Sequence, residues 1–315
     1  FGNLFARMGI GSQGKIHPLD RHPSMSKHPV TPADESDLRI HLGKQTNATI
    51  ELIDILTLEE SDTLQLEELK EKSLRPGVLL FDALNEHHIS SIGVLLSKLK
   101  EKTATLFSVG SSGIEMALGT FWKKRNLVNI ETSWPPMKQV EQLLVVSGSC
   151  SPVTSGQIQM AINAGFAELE LDTSSLSTAR DITSFLDTIV QSALQLLNRH
   201  KHLVIHTSKG PQDSRIEKFR ASNLNSAEVL GGALGYIVKN IIKNTSLRRV
   251  VVAGGDTSSY AARAMEIEAV EMLSPFVSGA PWCRVHAPGA VTDQIEINFK
   301  GGQVGAEDYF IKAIG

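Results

Sequence analysis

The stretch VVSGSCSPVT, residues Val145–Thr154, decides the fold. An apolar run over Gln142–Ser147 predicts a buried strand, and small residues then lead into a helix that begins near Pro152. A strand that turns directly into a helix is typical of parallel sheets flanked by helices, which bind ligands beyond the carboxyl ends of their strands. Helix N-termini at that edge present free N–H groups to phosphate. The stretch therefore predicts an α/β fold with either a phosphate site or a simple capped turn. The hydroxyl groups available to a phosphate are those of Ser149, Ser151 and Thr154.

Short apolar runs alternate with helical patterns from Val78 onward. The clearest helix spans Ile182 to Leu197, where apolar residues recur every three or four positions. This strand–helix alternation indicates mainly parallel sheets flanked by helices. The run Gln294–Lys300 differs because apolar and polar residues alternate, which predicts a half-buried strand at a sheet edge or in antiparallel pairing. The remaining predicted strands are Val78–Asp82, Thr105–Val109, Glu168–Leu171, His202–His206 and Arg249–Ala253.

Two α/β units are predicted, because 315 residues at about 150 per domain correspond to two domains. Two consecutive prolines within Glu131–Pro136 mark the boundary, so we expect units at 1–135 and 136–315. Three His-Pro pairs in the opening segment predict loop rather than helix there, and Thr31 is the predicted N-cap of the first helix. The chain opens with FGNLFA and no initiator Met, so we expect that an N-terminal part of the first unit is missing.

The composition disfavours several classes of protein. A hydrophobic share of 41% and a charged share of 21% predict a packed core, and no apolar run reaches the ~18 residues of a membrane span. A net charge of −3 without a basic tract argues against nucleic acid as a partner. Two cysteines suit a reducing cytosol and a cytoplasmic protein, and Cys150 is expected to be a buried thiol. A homo-oligomer is left open.

Two further glycine turns follow predicted strands. Gly254 and Gly255 would let the backbone approach a ligand closely, and Thr257 follows them in the same turn. Asp256 could hold a metal ion or a ribose hydroxyl, or it could simply N-cap the next helix. The third turn, Lys300–Gly302, could fold over phosphates or form a hairpin. None of the turns matches a Walker A loop or the dinucleotide fingerprint.

The first unit offers candidate ligands for a small anion. Arg21, His22 and His28 lie in the proline-rich opening, where solvated packing is the alternative role. Its histidines lack the spacing of a zinc site. Ser111 and Ser112 form another glycine-serine turn, which lacks the G-x-S-x-G pattern of serine hydrolases.

Taken in order, these motifs resemble those of the four-carbon acid sugar kinase family. The resemblance covers nearly the whole chain and rests on RHP at 21–23, HPVTP at 28–32, SGSCSPVT at 147–154, GGDTS at 254–258 and KGG at 300–302. The family normally opens with an Asp-Asp-x-Thr-Gly motif, which this chain does not contain. Smaller departures are Ser259 in place of a usual glycine, Gln303-Val304 in place of Asn-Phe, and Ala33 in place of Met.

The resemblance implies an acid-sugar-binding N-terminal domain and a nucleotide-binding C-terminal domain. It implies an ATP-dependent kinase, using Mg²⁺, that phosphorylates the terminal hydroxyl of a threonate-, erythronate- or 3-oxo-tetronate-type acid. The implied nucleotide ligands are Ser149, Ser151, Thr154, Gly254, Gly255, Asp256, Thr257, Lys300, Gly301 and Gly302, with Asp256 also toward Mg²⁺. The candidate substrate ligands are Arg21, His22, His28, Ser111 and Ser112. No catalytic base is assigned. A non-catalytic nucleotide- or metabolite-binding module is the alternative, and a nicotinamide oxidoreductase lacks its fingerprint.

Overall fold

The structure is a computed structural model that describes residues 1–8, 14–23, 25–26, 31–60, 69, 71–72, 77–100, 106–129, 133–178, 181–216 and 226–315. The chain forms two compact units, Phe1–Thr132 and Ser133–Gly315, and each is described by itself. In the described ranges, every helix is too short or too polar to cross a membrane.

The first unit combines two small sheets with four α-helices among its described residues. Strands β1 (Phe5–Met8) and β2 (Lys15–Pro18) pair antiparallel, and β3 (Thr49–Ile53) pairs parallel with β4 (Gly77–Phe81). Its core lies where α3 (Glu86–Lys100) packs on α4 (Ser112–Lys124), around Leu95, Leu99 and Ala117. The two preceding helices are α1 (Leu38–Gly43) and α2 (Ile55–Glu59).

Three predictions for the first unit need correction. The first helix is capped by Asp37 rather than by Thr31, because the Asp37 carboxylate accepts the Arg39 backbone N–H at 2.9 Å. The predicted strand Thr105–Val109 is not a strand over its described part, 106–109, where Phe107 and Val109 are almost fully exposed. Apolar residues alone do not make a strand without a partner, and Thr105 itself lies outside the described residues. The opening segment is not all loop, since it contains β2 and a 3₁₀ turn at Leu19–Arg21.

The second unit is built on one sheet of seven described strands in the order β6-β7-β5-β8-β11-β10-β9. The first five are mutually parallel, and β10 runs antiparallel to both of its neighbours. The predicted α/β class with a mainly parallel sheet is confirmed. The strands are β5 (Leu143–Ser147), β6 (Ala167–Glu170), β7 (His202–His206), β8 (Arg249–Ala253), β9 (Ala269–Val277), β10 (Ala280–His286) and β11 (Glu296–Lys300).

Helices cover both faces of this sheet. Neighbouring strand residues point to opposite faces. Val146 belongs to the core cluster on the face covered by α7 (Ile182–Arg199), α8 (Ser226–Lys243) and α9 (Gly255–Ala264). Val145 belongs to the cluster on the face covered by α5 (Pro152–Asn163) and α10 (Tyr309–Lys312). A strand buried on both faces is apolar along most of its length, which is why β5, β7 and β8 were evident from sequence; their polar residues stand only at the strand ends. A further short helix, α6 (Thr173–Thr178), follows β6.

Strand β11 is antiparallel to β10, as predicted, but it does not lie at the sheet edge. It sits between β8 and β10, parallel to β8. The polar residue that suggested an exposed face, Asn298, is fully buried, and its amide donates to the carbonyls of Ala280 (2.9 Å) and Pro281 (3.0 Å). It also accepts the Tyr309 O–H at 2.7 Å. A polar side chain with all these hydrogen-bond partners is stable in a core. The alternation of apolar and polar residues therefore predicted an exposed face that β11 does not have at Asn298.

Candidate functional site

The three predicted glycine turns meet at the carboxyl edge of the large sheet. Strands β5, β8 and β11 are neighbours and parallel, so the residues after them emerge side by side. The Gly148 N–H donates to the Ala253 carbonyl at 2.9 Å, and the Gly254 N–H donates to the Lys300 carbonyl at 2.9 Å. The sheet ladder thus continues into the turns and fixes their positions. We call the residues 147–154, 254–258 and 300–302 the three-turn cradle.

The turn after β5 is held by its own serines. The Ser149 Oγ accepts the Ser151 N–H at 3.2 Å, and the Ser151 Oγ accepts the Val153 N–H at 3.2 Å as the N-cap of α5. A hydroxyl that accepts one hydrogen bond still has its own O–H to donate. Both serines can therefore shape the turn and bind an acceptor. Cys150 is exposed, so the prediction that it is a buried thiol is wrong.

The cradle is so tightly packed that glycine is required at several positions. A Cβ on Gly148 would lie 2.6 Å from the Thr257 Cγ2, and one on Gly302 would lie 2.6 Å from the Ser149 Oγ. Gly254 has φ +136°, and a Cβ there would collide with the Thr257 Oγ1. The backbone of each turn therefore approaches the next turn directly, without a side chain between them.

Thr257 places an unpaired hydroxyl among these glycines. Its side chain is only 6% exposed, and its Oγ1 has no hydrogen-bond partner in the part of the chain that the structure describes. Leaving a buried donor unsatisfied costs about 1–3 kcal/mol. The residue lies in the first turn of α9, whose N-cap, Gly254, makes no side-chain capping bond. A buried donor at a helix N-terminus suits an anionic ligand that supplies the missing acceptor.

Lys300 and Thr154 are buried and support the third turn from inside the second unit. The Lys300 Nζ donates to the Thr154 Oγ1 at 3.1 Å, and that hydroxyl donates to the Gly302 carbonyl at 2.8 Å. Lys300 is 1% exposed beside the rings of Tyr309 and Phe310, and burial lowers its pKa to about 7. The turn continues toward α10, which excludes the hairpin alternative. Both side chains therefore position the turn from inside the unit.

Asp256 and Gly255 form the open side of the cradle. Both are exposed on the first turn of α9, and a Cβ on Gly255 would have no atom within 4 Å. Because Gly254 is the N-cap, the alternative that Asp256 caps the helix is wrong. A carboxylate oxygen here has the chemistry that Mg²⁺ prefers, and Mg²⁺ sites commonly use one or two carboxylates together with phosphates.

A charged cluster that the sequence patterns did not indicate lies beside the cradle. The Glu168 Oε1 accepts from the His206 Nε2 at 2.9 Å and lies 2.7 Å from the Lys209 Nζ. Arg215 pairs with Asp213 at 2.6 Å and contacts the His206 Nδ1 at 3.4 Å. Burial lowers the pKa of His206, which favours the neutral form of this ring between a carboxylate and a guanidinium. Glu168, Glu170 and His206 have metal-ligand spacing, but Lys209 and Arg215 already neutralise the carboxylates.

The candidate ligands of the first unit lie on two separate elements. Arg21 is 71% exposed with its Nε 3.5 Å from the Asp20 carboxylate, and His22 is buried with its Nδ1 accepting the Met25 N–H at 3.2 Å. Ser111 and Ser112 are exposed at the start of α4. His28 lies outside the described residues.

Comparison with known proteins gives a consistent match over both units. A family model described as a sugar-binding N-terminal domain matches residues 1–118, and one described as a nucleotide-binding C-terminal domain matches residues 144–310. The 3-oxo-isoapionate kinase of Paraburkholderia graminis is 36% identical over 98% of this chain and 66% of its own length. The 3-oxo-tetronate kinase of Brucella melitensis is 24% identical over 92% of this chain and 63% of its own length.

The fold is also found in solved structures. A crystal structure from Salmonella typhimurium LT2 matches with a TM-score of 0.71 at 22% identity, covering 94% of this chain and 66% of that one. Haemophilus influenzae protein HI1011 matches with a TM-score of 0.62 at 17% identity, covering 94% of this chain and 67% of that one. The chain spans about two thirds of the length of the curated relatives it matches. The two domain models and the 36% identical relative show that the chain belongs to the four-carbon acid sugar kinase family.

Proposed function

We propose that the protein is an ATP-dependent kinase that phosphorylates the terminal hydroxyl of a four-carbon acid sugar. The observation that carries this proposal is the buried Thr257 hydroxyl, which has no partner among the described residues and lies in a cradle of glycine turns. An apolar ligand would leave that donor unsatisfied, whereas a phosphate oxygen would satisfy it, and the positive end of a helix dipole favours an anionic acceptor over a neutral one. Relatives named as kinases of 3-oxo-tetronate, 3-oxo-isoapionate and D-threonate support the same reaction class.

The three-turn cradle is the proposed site of the nucleotide phosphates. Backbone N–H groups at Gly255 and Gly301 and the hydroxyls of Ser149, Ser151 and Thr257 would bind phosphate oxygens. Gly254, whose N–H donates to the Lys300 carbonyl, would let the phosphates approach the backbone closely. Lys300 and Thr154 would act through the turn that they support, and Asp256 would hold Mg²⁺. When bound, Mg²⁺-ATP supplies the phosphoryl group with part of its charge neutralised. The protein's own contribution is alignment, since phosphoryl transfer requires little covalent chemistry from side chains.

The first unit is the proposed acid-sugar-binding domain. A sugar acid carries a carboxylate, which a guanidinium can bind in a planar two-point contact. Arg21 is exposed and its contact with Asp20 is long, so its guanidinium is accessible to such a ligand. Threonate, erythronate and 3-oxo-tetronate acids are the proposed substrates.

The test is ATP turnover by the whole protein with a panel of sugar acids. The panel contains threonate, erythronate, 3-oxo-tetronate and 3-oxo-isoapionate, and ADP release is measured with and without each acid. Acid-dependent ADP release is expected for at least one compound. ATP binding without any acid-dependent turnover would instead support the non-catalytic nucleotide-binding module.

A further inference from the structure

The three-turn cradle contains few cations for a ligand as highly charged as a nucleoside triphosphate. Lys300 is the one cationic residue of the three turns. Its Nζ is buried and donates to the Thr154 hydroxyl. Enzymes that transfer phosphoryl groups place cations directly on the phosphate oxygens. A further cation from a neighbouring element is therefore expected at this edge of the sheet.

The loop after β7, residues Thr207–Gly210, lies directly against the turn after β5. Strand β7 pairs with β5, and the Ser208 Oγ donates to the Ser149 carbonyl at 3.1 Å. The Ser155 Oγ, at the start of α5, donates to the Lys209 carbonyl at 2.9 Å. The backbone of Lys209 is thus fixed next to the N-terminus of α5, where phosphate binding is proposed.

The Lys209 side chain is held by one ion pair that it can exchange. Its Nζ lies 2.7 Å from the Glu168 Oε1, and the side chain is 30% exposed. Partly exposed ion pairs are weak, and the lysine stem is flexible. If the ammonium moved away, Glu168 would still accept a hydrogen bond from His206 at 2.9 Å. The other nearby cation, Arg215, is fixed by several contacts with Asp213 and is less able to move.

We propose that Lys209 is a ligand of the nucleotide phosphates, exchanging its pair with Glu168 for a phosphate oxygen when nucleotide binds. This inference rests on the proposed function of the cradle. It adds an electrostatic contact from β7, a strand whose loop carries none of the family motifs identified in the sequence.

The test is calorimetric binding of ATP and AMP to the whole protein and to three variants. Lys209→Met is expected to raise the ATP Kd about tenfold and to change the AMP Kd less than twofold, because added phosphates bring the added contact. Lys201→Met is the matched control, since Lys201 is exposed just before β7, roughly 16 Å of strand away from the cradle. It should bind both nucleotides like the parent. Melting curves verify that each variant is folded.

Glu168→Gln distinguishes a ligand role from a structural one. If Lys209 binds phosphate, removing its competing carboxylate charge should leave ATP binding unchanged or tighter. If Lys209 serves only to hold Glu168 in place, both variants should weaken ATP binding alike, and the proposal is wrong. Equal ATP affinity of Lys209→Met and the parent also overturns it while leaving the kinase proposal intact. A parent that binds no ATP overturns both.

Discussion

Replacing Gly254 by alanine tests whether the cradle depends on close backbone approach. Gly254 has φ +136°, a conformation that costs an L-residue roughly 1–3 kcal/mol, and the new methyl would collide with the Thr257 Oγ1. Reduced freedom of the unfolded chain returns only about 0.4–1 kcal/mol. Because the collision adds about 1–3 kcal/mol of overpacking to this strain and outweighs the offset, we expect Gly254→Ala to lower the free energy of unfolding by at least about 1 kcal/mol.

The neighbouring glycine provides a matched control for this stability measurement. Gly255 lies in the first turn of α9, where an added methyl would have no atom within 4 Å. Gly255→Ala should thus keep or raise stability by up to about 1 kcal/mol. Urea unfolding, monitored through the hydrogen exchange of the β8 amides at 249–253, reports the stability of the second unit. Equal stability of the two variants would refute the proposed packing of the cradle.

Three further predictions concern individual side chains. Asp256→Asn should weaken Mg²⁺-ATP binding about tenfold, the scale of one lost charge-assisted contact, with little change in urea stability because Gly254 is the N-cap; unchanged affinity would remove Asp256 from the site. Lys300 has a folded-state pKa of about 7 against an ordinary 10.5, so between these pH values the unfolded chain binds more protons and the stability of the parent rises with pH. Lys300→Met should lack that rise in melting experiments across pH 7 to 10, and an identical pH profile would contradict it. Arg21→Lys should lower kcat/KM for the sugar acid about tenfold while ATP binding stays constant; an unchanged kcat/KM would show that Arg21 does not bind the carboxylate.

Much of the second unit could be predicted from local sequence. Strands β5, β7 and β8 are buried on both faces, so each contains an uninterrupted run of three or four apolar residues with a turn signal after it. The glycines of the cradle were also recognisable, because each glycine turn follows a predicted strand. Position after a strand is a local property, and parallel strands then bring the turns together without further information.

Features that depend on long-range partners could not be predicted. Asn298 is buried by hydrogen bonds to Ala280 and Tyr309, which its neighbours in sequence do not reveal. The pairing of Glu168 with His206 joins residues 38 positions apart on adjacent strands. The one available signal was the presence of two glutamates, Glu168 and Glu170, in a strand whose other residues are apolar. In the first unit, Thr31 and Asp37 are both plausible N-caps and lie close together in sequence. Local sequence does not distinguish them, and the structure shows that Asp37 caps the first helix.

Thr257→Val tests most directly whether the three-turn cradle binds nucleotide phosphates. Valine keeps the shape of threonine and removes only the buried hydroxyl, which has no partner within the described residues. Without ligand, the variant should be as stable as the parent or up to about 1 kcal/mol more stable. With ATP, loss of a hydrogen bond to a charged group, about 1.5–3 kcal/mol, should raise the Kd at least tenfold.

A matched control is Thr292→Val, in which the lost hydroxyl donates to the Met265 carbonyl at 2.6 Å. That variant should lose about 1–3 kcal/mol of stability and keep the ATP affinity of the parent. The decisive measurement is therefore calorimetric ATP binding to Thr257→Val together with its urea stability. A weaker ATP affinity at undiminished stability is the predicted result. An unchanged ATP affinity, or a loss of stability like that of Thr292→Val, would contradict phosphate binding at Thr257.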